Sequence, residues 1–204
     1  YMENGSISIV AKTDGNYITQ GTINDHKDDG ETVITNSDSN TASENTVTIK
    51  AEEGSTANVT LDNVNINASD TGKAALTVTG TGDTEIELSG DNTLVSGSGH
   101  AGLEKSDTYG SEPSQNGSLT INAEDTDSSL TATGGTSGAG IGGASYRDSS
   151  NITITGGSMV NSMGNQQEGY RYLGGIAGIN NGTITNSAPA ESSSIRGGLD
   201  IGGV

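Results

Sequence analysis

Between residues 116 and 160 short strand-like phrases follow one another and then return in the same order. Ser118-Leu119-Thr120-Ile121 and Asn151-Ile152-Thr153-Ile154 are copies of one phrase. Ser129-Leu130-Thr131 and Ser158-Met159-Val160 are copies of a second, and Ala139-Gly140-Ile141-Gly142-Gly143 lies between them. A chain that repeats a set of phrases at a near-constant interval is built to stack one unit on the last. From residue 45 the apolar anchors fall into three columns. The first holds Val47 and Ile49, Leu76, Leu103, Ile141, then Ile176 or Ile179, then Ile201. The second holds Val59, Ile86, Leu119, Ile152 and Ile184, with steps of 27, 33, 33 and 32 residues (59 to 86, 119, 152 and 184). The third holds Val64 or Ile66, Leu94, Leu130, Met159 and Ile195.

Three short strands per turn at this interval predict an all-β fold, a parallel β-helix of about five to six turns over residues 45–204. The general preference for right-handed crossovers predicts a right-handed coil. Alternation assigns the faces: Leu119, Ile121, Ile152, Ile154 and Ile184 point in, and Thr120, Asn122, Thr153, Thr155 and Thr185 point out. Glu85 and Glu87 then flank an inward Ile86, with Thr60 and Thr120 beside Glu87. Residues 1–44 match the repeat poorly and are expected to cap a single domain, since terminal units of stacked folds are atypical. Phe and Trp are absent and Tyr numbers only six, so the core must be narrow and aliphatic. A hydrophobic content of 29% with net charge −18 is also the composition of a disordered chain, but disorder gives no reason for Ile, Leu and Val to alternate in phase.

That charge would repel phosphates, which argues against nucleic acid as a partner. No apolar run approaches the ~20 residues of a membrane span. The absence of Cys decides nothing about redox compartment. Tyr1 as a first residue predicts a piece of a longer chain.

The phrases Asp91-Asn92-Thr93-Leu94, Gly97-Ser98-Gly99-His100-Ala101-Gly102-Leu103-Glu104, Gly138-Ala139-Gly140-Ile141-Gly142-Gly143 and Asn151-Ile152-Thr153-Ile154-Thr155-Gly156-Gly157 resemble β-helical repeat domains of large bacterial surface proteins. Those domains are similar to the pectin-lyase-like superfamily and are often labelled carbohydrate-binding. The resemblance covers roughly residues 45–204 and supplies no ligand motif. It implies a non-catalytic carbohydrate-binding or adhesion module, extracellular at a cell surface, with other domains of the same surface protein as neighbours. A purely structural β-helical stalk is the strongest alternative, and a calcium-dependent polysaccharide lyase a lesser one.

Fold alone does not give an activity. The sequence shows no outward Asp-Asp pair, and Arg occurs only at 147, 171 and 196, so no enzyme is expected. His26 and His100 stand apart and read as surface histidines. Divalent cations suit the acidic surface, and calcium takes six to eight oxygens. Glu85 and Glu87, about 7 Å apart on one outward face, are the candidate metal ligands. Glu124, Asp125 and Asp127 fall in one corner. An ice-binding threonine ladder down the second column is interrupted by Glu87.

The candidate ligand-binding residues are Tyr109, Tyr146, Arg147, Asp148, Tyr170, Arg171 and Tyr172. They sit in loops expected to rim the side-chain-poor strand 139–143. Sugars lay their C–H faces on aromatic rings, while Arg and Asp bond their hydroxyls.

Overall fold

A computed structural model describes residues 1–28, 31–107, 112, 115–123 and 125–162, together with the backbone of four short strands beyond them. The strands are β1 (Ile7–Lys12), β2 (Gly15–Gln20), β3 (Ile23–Lys27), β4 (Thr32–Thr35), β5 (Val47–Ala51), β6 (Thr56–Asp62), β7 (Asn65–Asn67), β8 (Leu76–Gly80) and β9 (Asp83–Ser89). Then come β10 (Asp91–Val95), β11 (Leu103–Glu104), β12 (Leu119–Ala123), β13 (Ser129–Thr133), β14 (Ile141–Gly142), β15 (Asp148–Ser149), β16 (Ile152–Ile154) and β17 (Ser158–Ser162). The last four are β18 (Tyr172–Gly174), β19 (Ile179–Asn180), β20 (Ile184–Asn186) and β21 (Asp200–Gly202).

The fold is all-β with parallel sheets, a β-helix-like arrangement. From β5 onward the chain visits a first, a second and a third sheet in that order and returns to the first. The first sheet runs β14-β11-β8-β5-β1-β2-β3, the second β20-β16-β12-β9-β6-β4, and the third β17-β13-β10-β7. Among the described residues every strand pairing is parallel except β1–β2 and β2–β3, which add two antiparallel strands at the N-terminal end. The first 44 residues also join the stack: β1 pairs with β5, β4 with β6, and Ser43 bridges to Ile66.

Alternation along each strand sends one face into a shared aliphatic core. Ile49, Leu61, Ile66, Leu76, Ile86, Leu94, Leu103, Leu119 and Ile152 are fully buried. Like stacks on like: Val47, Leu76, Leu103 and Ile141 lie in one row, as the first column predicts. Beyond Ile141 that column departs from expectation. Ile179 pairs with Asp148 and Ile201 with Leu173, while Ile176 and Ile195 lie outside the described residues.

The other two columns are displaced by two residues in one round. Ile86 pairs with Ile121, and Leu119 with Thr84. Leu130 pairs with Asn92 and Leu94 with Ala132. A two-residue slip keeps every side chain on its predicted face, so alternation cannot detect it. Backbone contact at the corners decides the register. A Cβ on Gly117 would lie 1.7 Å from the Gly82 carbonyl oxygen, and one on Gly135 1.9 Å from that of Gly97. These glycines let one corner sit directly on another, and they share the offsets of the strands they feed. Along this round the offset grows from 27 residues (Leu76 to Leu103) to 35 (Thr84 to Leu119) and 38 (Asn92 to Leu130). The largest insertion therefore falls between the first and second sheets.

The slip puts a polar residue in a core row. Asn92 is buried between Val64 and Leu130, yet all its polar atoms are matched. Its Oδ1 accepts from the Val64 N–H at 2.9 Å, and its Nδ2 donates to the carbonyls of Ser89, Gly90 and Ser129 at 3.2, 3.3 and 3.2 Å. It clamps the turn between β9 and β10 to the rounds on either side. Replacing Asn92 by Ala would leave the buried Val64 N–H without this acceptor and remove one donor from the Ser89, Gly90 and Ser129 carbonyls, and is expected to cost about 2–3 kcal/mol. Urea unfolding followed by circular dichroism would measure it.

Candidate functional site

The insertion between first and second sheets builds a groove of about 610 Å³. The end of β8 (Val78, Thr79, Gly80) lines it together with Asn116–Ser118 of the next round, whose Gly117 N–H donates to the Gly80 carbonyl at 3.4 Å. His100 and the run Glu104–Asp107 also line it, as do Ala144 and Arg147 from the next round. After the inward Leu103 the chain leaves the alternating pattern, because Glu104, Lys105 and Asp107 are all covered: they are 8%, 5% and 9% exposed.

Buried charges need partners, and each has one. The Lys105 ammonium donates to Asp107 Oδ1 at 3.3 Å. Glu104 Oε2 lies 2.8 Å from His100 Nδ1 and accepts the Ala101 N–H at 3.3 Å. Burial pushes Lys105 below the ordinary lysine range, although the charge of Asp107 pulls it back part of the way. Titratable groups buried in a concavity and displaced in this way are what functional sites collect.

The 144–148 loop is tied into the groove by its backbone. Ser145 N–H donates to the Gly99 carbonyl at 2.8 Å, Ala144 N–H to Ser106 Oγ at 3.0 Å, and Asp107 N–H to the Asp148 carbonyl at 2.9 Å. At its apex Tyr146 holds a left-handed φ of 59° and is 78% exposed. Of the consecutive residues Tyr146, Arg147 and Asp148, Arg147 lines the groove, and the other two flank it in the chain. Tyr172 begins β18, which pairs with β21. Tyr109, Tyr170 and Arg171 lie outside the described residues.

Two expectations about this corner are corrected. Strand 139–143 is no open floor, because Gly140, Gly142 and Gly143 are buried. A Cβ on Gly143 would lie 2.4 Å from the Arg147 carbonyl oxygen, so this glycine makes room for the loop. His100 is no isolated surface histidine but half of a pair with Glu104. The sequence did carry a signal for the missed residues: Glu104-Lys105-Ser106-Asp107 breaks the alternation directly after an inward leucine and enters the longest insertion.

Glu85 and Glu87 lie elsewhere, on the outer face of the second sheet. They line a trough of about 740 Å³ together with Asp28, Glu31 and Asp62. Glu85 sits between Asn58 and Thr120, and Glu87 between Thr60 and Asn122, so the expected Thr120–Glu87 neighbourhood is shifted by the same two residues. Among the described residues no three His, Cys, Asp or Glu side chains are grouped to hold a metal ion. Glu124 lies outside the described residues. Asp125 serves its own turn: its Oδ1 accepts from the Asp127 and Ser128 N–H groups and the Ser128 hydroxyl, and the Ser128 bonds hold its carboxyl below the usual range.

No protein-family model matches the chain, and no curated protein or solved structure matches it.

Proposed function

We propose that the chain is a right-handed parallel β-helix with three strands per turn, serving as a non-catalytic carbohydrate-binding or adhesion module of a bacterial cell-surface protein. The ordered visits to three sheets support the coil, and the general preference for right-handed crossovers supports its hand. One observation carries the functional reading: Arg147, next to the exposed Tyr146, lines a groove that also presents His100, Glu104, Lys105, Ser106 and Asp107. An aromatic face for the C–H side of a sugar, beside donors and acceptors for its hydroxyls, is what glycan recognition needs. Among the described residues no carboxylate pairs with the Arg147 guanidinium. The preferred glycan is extended, and acidic if Arg147 and Arg171 both engage it. With no Trp in the chain a single site should bind weakly, at about millimolar to micromolar Kd, and gain strength from repetition. The module's setting is extracellular, joined to other domains of the same protein.

Affinity electrophoresis through gels cast with different polysaccharides tests this reading. At least one polysaccharide should retard the parent, and the triple change Tyr146→Ala, Tyr170→Ala, Tyr172→Ala should abolish that retardation while leaving the melting temperature near the parent's. Equal retardation of parent and triple variant would move the site elsewhere.

A further inference from the structure

Besides Arg147, the groove holds a side chain whose chemistry is set by a buried neighbour. We infer that His100 is a specificity-determining residue of this groove: Glu104 holds its Nδ1–H, which turns Nε2 toward the ligand as a fixed acceptor for a sugar hydroxyl. This inference rests on the glycan-binding reading above and adds to it the kind of group the site reads.

Glu104 is covered in the groove wall. Its side chain is 10% exposed, and Oε2 accepts the Ala101 N–H at 3.3 Å while lying 2.8 Å from His100 Nδ1. An ionised carboxylate only accepts hydrogen bonds, so Nδ1 must carry the hydrogen. A neutral imidazole protonated on Nδ1 bears its lone pair on Nε2. Among the described residues Nε2 has no protein partner, and the side chain is 34% exposed where it lines the groove.

The ring is also well anchored. The His100 N–H donates to the Gly97 carbonyl at 3.2 Å, and the His100 carbonyl accepts the Gly135 N–H at 3.0 Å. A Cβ on Gly138 would lie 1.9 Å from that same carbonyl oxygen, so the next round packs directly on the backbone that carries the ring. Fixed position and fixed tautomer together make a side chain selective, because a polar group held ready rejects a ligand that leaves it unpaired.

The surrounding chemistry makes an acceptor informative. Lys105 and Arg147 are cationic donors, and the carboxylates of Glu104 and Asp107 are already engaged with His100 and Lys105. A ligand lying across the groove therefore meets donors at Arg147 and an acceptor at His100. A hydroxyl that donates to Nε2 satisfies that acceptor, whereas a methoxy group at the same carbon cannot. Glu104 acts here as a positioning residue, and touches the ligand only through the ring it orients.

Nitrogen-15 NMR of the intact chain reads the tautomer without any ligand. The expected result is a protonated Nδ1 and an unprotonated Nε2 at His100 at neutral pH, with a mixture of tautomers in Glu104→Leu, a change that a merely structural role would not produce. Titration with methyl glucuronide to ~50 mM, a range suited to millimolar affinity, should then move the His100 Nε2 signal and leave that of His26 in place. His100→Leu should weaken binding at least about tenfold, while His100→Gln, which returns a polar group near the Nε2 position, should stay within about threefold of the parent. A protonated Nε2 in the free protein overturns the inference. Movement at Arg147 and Ser118 with a motionless His100 Nε2 also overturns it, yet leaves the glycan-binding reading intact. No movement at any groove residue with this probe overturns both.

Discussion

Ile152→Asp is expected to unfold the chain. Ile152 is fully buried in the second sheet, with Leu119 and Ile184 as its register partners. Losing the aliphatic side chain from such a position costs about 2–4 kcal/mol. Burying an unpaired carboxylate beside Leu119 adds several more, because that aliphatic neighbour offers no donor. The sum, about 5 kcal/mol or more, matches the whole stability of many domains of this size. The outward neighbour is the control. Thr153 pairs with Thr120 and Thr185 on the other face, and Thr153→Asp is expected to change stability by less than about 1 kcal/mol. Circular dichroism melts of the two variants would separate them. If Ile152→Asp melted like the parent, the inward face would be assigned to the wrong residues.

The second large effect is expected at the buried ion pair of the groove. Asp107→Ala leaves the Lys105 ammonium covered and without its carboxylate, a loss of about 3–5 kcal/mol. Replacing both members with apolar residues, Lys105→Met with Asp107→Leu, is expected to leave stability unchanged or raise it, because both charges then escape desolvation. That contrast would show the pair to be held for what it does in the groove, since a pair kept for stability would make the double variant the weaker protein. The pH dependence has a definite sign. Lys105 binds its proton less tightly in the fold than in the unfolded chain, so the unfolded state holds more protons between the lowered value and the ordinary lysine value of 10.5. The Lys105 contribution to stability should therefore rise with pH through that window and level off above it. Urea midpoints of parent and double variant across neutral to alkaline pH test this: the difference between them should narrow as pH rises.

Much of the fold is legible in the sequence because its determinants are local. Alternating Ile, Leu and Val with polar residues marks which atoms face in, and the return of the phrases marks the stacking. The first-column row from Val47 to Ile141 follows directly. What alternation cannot carry is the register across an insertion. Pairing Ile86 with Leu119 or with Ile121 buries the same kind of side chain, and the choice is made by Gly82 and Gly117 stacking backbone on backbone. The same blindness hid Asn92, an inward amide at a row position where Leu94 looked the better anchor. The candidate site was half legible. Tyr146 and Arg147 stand out as large polar residues in a loop of small ones. Glu104, Lys105 and Asp107 were not singled out, because burial of a charged run depends on loops from other rounds folding over it. His100 looked solitary because its partner is brought to it by the turn through Ala101 and Gly102, where no regular spacing announces the pair.

The central claim is that the groove between the first and second sheets receives a glycan. A glycan-array screen of the parent beside a Tyr146→Ala, Arg147→Ala double variant tests it most directly. Both residues lie on the exposed loop apex, so the variant should keep its fold, and a matched melting temperature would establish that. The account predicts at least one class of glycan retained by the parent and lost by the variant, with acidic sugars foremost. A parent that retains no glycan, or a variant that retains the same glycans equally well, would contradict it.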